Sequence, residues 1–89
     1  MDPGVQIELI TSVLERSGVE IRKEHLGGSG GSLCKLKGKL VLFIDLDADT
    51  ATRADRCVAA LASMQEVDGM FLPPELREQV DRHRAGRLA

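Results

Sequence analysis

The stretch LCKLKGKLVLFIDLDAD, residues 33–49, decides the fold. Within it Leu40, Val41, Leu42, Phe43 and Ile44 follow one another without a polar residue. A run of that length is too short for a helix. It belongs to a strand covered on both faces or lying centrally in its sheet. Ahead of it, residues 33–37 alternate apolar with lysine, and Gly38 stands where a hairpin turns. The expectation is a pair of hairpin arms, 33–37 and 39–45. Lys35, Lys37 and Lys39 point to a solvated edge on the first arm, which also discourages edge-to-edge association.

Working towards the N-terminus, Gly27-Gly28-Ser29-Gly30-Gly31 places four glycines in five residues, a composition that opposes any regular element. The flanking pattern makes one continuous hairpin-rich unit, so the segment 27–32 reads as a native mobile loop between strands and not as an engineered linker. It is also a possible point of contact with a partner. Val19-Glu20-Ile21-Arg22 alternates as a half-buried strand does. Before it, Val5, Leu9 and Val13 with Ile10 and Leu14 recur at steps of three and four, predicting an amphipathic helix over 5–17 that ends at Gly18.

Towards the C-terminus, Ala54, Cys57, Val58, Ala60, Leu61 and Met64 predict a helix over 50–64, capped by Asp49 or Thr50. Met70-Phe71-Leu72 is expected to be extended, because Pro73 and Pro74 restrict the residues before them. A last helix over 75–83 would turn Leu76 and Val80 inward, leaving 82–89 as a frayed basic tail. The expected fold is therefore one α+β domain over 1–89, in the order α-β-β-β-α-α. Its core would be a short antiparallel β-meander of about three strands, packed on one face by two to three helices.

Composition narrows the function classes. Twelve basic against fourteen acidic side chains give a net charge of −2, which provides no general field for nucleic acid or anionic lipid. Two Phe, no Tyr and no Trp leave no stacking platform for bases. No apolar run approaches the roughly 20 residues of a membrane span, and the Met1-Asp-Pro-Gly opening lacks the layout of a secretory leader. Cys34 and Cys57 are expected to be free thiols filling core positions. A cytoplasmic location is the resulting expectation.

Asp45, Asp47 and Asp49 are the densest set of chemically capable side chains. Residues 41–50, VLFIDLDADT, resemble the first motif of haloacid-dehalogenase-type phosphatases, where a strand delivers a nucleophilic Asp and, two positions on, a general-acid Asp. That family has Thr or Val where this chain has Asp49, and draws further acids and a lysine from later strands. The same acids also match positions one, three and five of a calcium loop, but Thr50 and Arg56 stand where that loop needs Gly and Glu. The alternative assigns these carboxylates to the N-terminus of the following helix, where they meet its free N–H groups. His25 and His83 have no ligating residue at metal spacing beside them. Asp45, Asp47 and Asp49 are thus the metal candidates, and neither a cofactor nor a catalytic set is expected.

More broadly, the N-terminal helix, the hairpin at 33–49 and the helical segment RADRCVAALASM resemble the start of the ImmA/IrrE zincin-type metalloprotease domain. In that family a HExxH helix binds zinc. Alignment of the helices puts Ala59 and Ser63 at the histidines and Ala60 at the glutamate, so the resemblance implies a degenerate, non-catalytic relative. In size and layout the chain is also similar to small bacterial proteins without assigned activity. The function expected is a non-catalytic binding or accessory module acting through protein–protein contacts, with a second copy of itself as one partner. Phe71, Leu72 and Pro73 are the interface candidates, although docking within the chain is the preferred role for them. The rival expectation is a divalent-metal-dependent phosphatase-like activity using Asp45 and Asp47.

Overall fold

The structure, a computed structural model, describes residues 1–88; Ala89, the end of the expected tail, lies outside the described residues. Helix α1 spans Pro3–Arg16, strand β1 Glu20–Glu24, β2 Gly31–Leu36 and β3 Lys39–Asp45. Helix α2 spans Thr50–Ser63, a 3-10 helix spans Gln65–Gly69, and α3 spans Pro74–Leu88. The fold is α+β, and the element order is the expected one.

The caps follow from local chemistry. Asp2 accepts from the Val5 N–H at 3.2 Å ahead of Pro3 in the first turn. At the other end of α1, Gly18 N–H donates to Glu15 C=O and Val19 N–H to Leu14 C=O, each at 3.0 Å, the paired bonds of a Schellman ending.

The sheet corrects the expected antiparallel meander. Its order is β1-β3-β2: β2 pairs antiparallel with β3, whereas β1 pairs parallel with β3. A meander would have made β2 the central strand and flanked its lysines on both sides. The apolar run of β3 takes the centre instead, and Lys35 and Leu36 of β2 remain exposed at the edge. Residues 25–30 must then carry the chain from the end of β1 across the end of β3 to the start of β2.

Alternation along β3 divides its side chains between two faces. Leu42 and Ile44 join Ile10 and Leu14 of α1, Cys57, Val58 and Leu61 of α2, and Leu76 and Val80 of α3 in one buried cluster. Val41 and Phe43 face the other way, opposite Cys34 and Ser32 of β2 and Glu20 and Arg22 of β1. Val41 is nevertheless buried, within a surround that includes Glu20, Arg22, Leu36 and Lys39. Arg22 lies 5.9 Å from the Phe43 ring centroid and is paired with Glu20.

Helix α3 continues to Leu88, so Arg82, His83 and Arg84 are helical where a frayed tail was expected. Arg84 is the reason it holds. Its guanidinium donates to Ala62 C=O and Met64 C=O, both at 3.0 Å, and pairs with Asp68 at 2.7 Å. Two turns earlier on the same helical face, Arg77 donates to Val67 C=O and Met70 C=O at 3.1 and 2.7 Å. Both arginines therefore add side-chain donors to carbonyls around the end of α2 and the 3-10 helix, where the regular helical ladder stops.

Candidate functional site

The three aspartates leave β3 together but do three different things. Asp49 alone caps α2, accepting from Thr52 N–H at 2.7 Å. Asp45 is fully buried. Its Oδ1 accepts from Leu26 N–H and Asp47 N–H, both at 2.9 Å, and its Oδ2 from Gly28 N–H at 2.6 Å and Gly30 N–H at 3.1 Å. Asp47 Oδ2 accepts from Gly27 N–H at 2.9 Å, and its Oδ1 meets His25 Nδ1 at 2.7 Å. The expectation that all three serve the helix start is corrected: two of them hold the crossing loop.

The glycines make this loop possible. Gly27, Gly28, Gly30 and Gly31 all have positive φ, and the backbone path they allow brings the alternate N–H groups of Leu26, Gly28 and Gly30 onto the Asp45 carboxylate. The arrangement is an anion nest of the kind that grips phosphate, with the chain's own carboxylate inside it. Gly31 is the tightest position: a Cβ there would lie 1.9 Å from the Phe43 carbonyl oxygen. Arg56 of α2 closes the outside by donating to Ser29 C=O at 3.2 Å.

Electrostatics agree with the geometry. Burial would raise the Asp45 pKa, but the N–H groups of Leu26, Asp47, Gly30 and Gly28 outweigh it and hold the carboxyl down to about 2. The hydrogen bond with His25, then that with Gly27, lowers Asp47. The Thr52 N–H lowers Asp49. Asp45 is thus a carboxylate ionised at neutral pH with both oxygens occupied, an arrangement that leaves neither one open to attack a substrate.

The remaining candidates are dispersed. Among the described residues, no three His, Cys, Asp or Glu side chains come together to hold a metal ion. Cys57 is buried and its thiol is pushed up to about 11 by that burial; Cys34 is half-buried, and neither is in a disulfide. Ala59, Ala60 and Ser63 line a shallow depression of about 160 Å³ against β2, and Ser63 donates its hydroxyl to Ala60 C=O at 2.7 Å. The Phe71-Leu72-Pro73 segment is split: Leu72 is buried in the core and Pro73 half-buried, whereas Phe71 is 94% exposed.

Two surfaces were invisible in the sequence. One is the face carrying Phe43, Cys34 and Leu36. The other is a groove of about 420 Å³ between α1 and the free edge of β1, lined by Ile7, Glu8, Thr11, Glu15, Ile21 and Lys23. No helix among the described residues is long and apolar enough to cross a membrane. No protein family, no curated protein and no solved structure matches the chain.

Proposed function

We propose that the chain is a non-catalytic accessory module of the cytoplasm that works through protein–protein contact. The observation that carries this reading is the state of Asp45. The residue best placed for chemistry is enclosed by four backbone N–H groups and serves as the pin of a loop. An acid–base or nucleophilic carboxylate needs an oxygen within reach of substrate. Contact surfaces, in contrast, are available: Phe71 and Leu36 are exposed apolar side chains, and the sheet has two free edges. Helices packed on one face of the sheet, with the Phe43 face left to a partner, fit the same reading. Two free cysteines suit a reducing compartment.

The test has two arms. Titration with magnesium, calcium and zinc, followed by a phosphatase screen, is expected to give neither saturable metal heat nor turnover. Turnover abolished by Asp45→Asn would overturn the proposal. Sedimentation and chemical cross-linking are expected to detect a complex, either of two copies or with another protein. A strictly monomeric chain at millimolar concentration that cross-links to nothing in lysate would count equally against it.

A further inference from the structure

Resting on the interaction-module reading, we propose that the β1 edge and the groove beside it bind an extended segment of a partner protein, one whose groove-facing residues, two apart along the chain, alternate apolar with Lys or Arg. The segment would add to the sheet as a fourth strand.

The backbone is set for this. Leu46 N–H donates to Glu24 C=O at 2.8 Å, so Glu24 turns its carbonyl towards β3. By the two-residue alternation of a strand, Glu20 and Arg22 do the same, and Ile21 and Lys23 present their N–H and C=O groups to the open edge. These same two residues line the groove. A strand laid along β1 would therefore bond to Ile21 and Lys23 while sending every second side chain between β1 and α1. This is strand addition, in which the main chain supplies affinity and the pockets for alternate side chains supply selectivity.

The groove states which side chains suit it. Its floor is Ile7 and Ile21, both partly buried against the core. Its helical wall carries Glu8, Thr11 and Glu15 on one side of α1, and both glutamates are exposed. Neither has an ion-pair partner among the described residues. Lys23 is the one basic lining residue, so the wall keeps an acidic excess. An apolar side chain over Ile21, followed two residues later by a cation beside Glu8 or Glu15, is the complementary pattern.

The probes are two acetylated, dye-labelled peptides of about eight residues with threonine at every second position, the positions between alternating valine with lysine in one and valine with glutamate in the other, long enough to span β1. Fluorescence anisotropy with the full chain at low salt is expected to favour the lysine peptide by about tenfold. Glu8→Lys combined with Glu15→Lys is expected to invert that preference. Lys23→Pro removes an N–H that faces solvent and no bond to β3, so it is expected to weaken the lysine peptide about tenfold while leaving circular dichroism unchanged. If the proline variant fails to fold, the charge-reversal pair decides alone, since both positions are exposed on a helix. Equal affinity for the two peptides, no saturable binding at millimolar concentration, or indifference to the charge reversal would overturn the inference. A dimer of the chain that dissociates on Lys23→Pro would also overturn it, by showing the edge filled by a second copy. Such a dimer, or any cross-linked complex, would leave the interaction-module reading standing; metal-dependent turnover would remove that reading instead.

Discussion

Replacing Gly31 by alanine tests the crossing loop directly, because two separable penalties meet at that residue. Its φ is +98°, and Gly38 in the hairpin turn has φ +79°. Alanine at either position adopts a disfavoured backbone, at a cost of about 1–2 kcal/mol. Gly38 has nothing within 4 Å of where its Cβ would sit, so the conformational penalty is all that Gly38→Ala incurs. At Gly31 the new Cβ would stand 1.9 Å from the Phe43 oxygen, 2.8 Å from the Phe43 carbonyl carbon and 3.2 Å from the Asp45 nitrogen. Carbon and oxygen normally approach no closer than about 3.3 Å, so the backbone of one strand must move by more than 1 Å. That movement disrupts the Gly31–Ile44 register pair and the Asp45 N–H bond to Gly30 C=O. Two backbone hydrogen bonds add about 1–3 kcal/mol, bringing Gly31→Ala to about 2–5 kcal/mol. In a domain of this size each kcal/mol moves Tm by about 4–8 °C. Gly38→Ala should therefore lower Tm by about 5–15 °C and Gly31→Ala by about 4–24 °C more, measured by circular dichroism with matching urea titrations. Melting points for the two variants within about 3 °C of each other would refute the close approach of Gly31 to β3.

Three further outcomes are expected. The Asp45 carboxyl falls from an ordinary 3.8 to about 2 on folding, so its stabilisation is complete above pH 4 and is lost as pH drops towards 2. The urea-midpoint gap between wild type and Asp45→Asn should therefore narrow across that window, and a constant gap would contradict the nest. Leu61→Ala, at a fully buried position, should cost about 2–5 kcal/mol, whereas Phe71→Ala, at 94% exposure, should stay within about 0.5 kcal/mol; chemical denaturation distinguishes the two. A thiol reagent at pH 8 should label half-buried Cys34 first and reach Cys57 only at the rate of unfolding, and simultaneous labelling would contradict the burial that raises the Cys57 pKa.

Periodicity made the helices legible, and the apolar run at Leu40–Ile44 correctly marked the central strand. The lysines correctly marked β2 as an edge. Those two readings together already conflict with a meander, because a meander centres its middle strand. What sequence lacks is any local sign of the β1–β3 pairing, whose partners, such as Ile21 and Leu42, are far apart in the chain. The role of Asp45 was hidden for a similar reason. Its donors are backbone groups of residues 26, 28, 30 and 47, which carry no side-chain signature. A usable clue was the coincidence of a glycine-dense loop with a carboxylate ending an apolar strand. Helix α3 was cut short at His83 because its last turns lack an apolar stripe, and Arg84 anchors them through carbonyls instead.

The position of β3 between β1 and β2 also orders events during synthesis. Helix α1, β1 and the glycine loop emerge first, yet β1 has no other strand to pair with, and the loop has nothing to close on until Asp45 has left the ribosome. The N-terminal third is thus held open by topology, and its assembly waits on one residue near the midpoint of the chain. Nucleation accordingly belongs to the β2–β3 hairpin, whose contacts are local and quick to form, with β1 recruited afterwards across a longer closure.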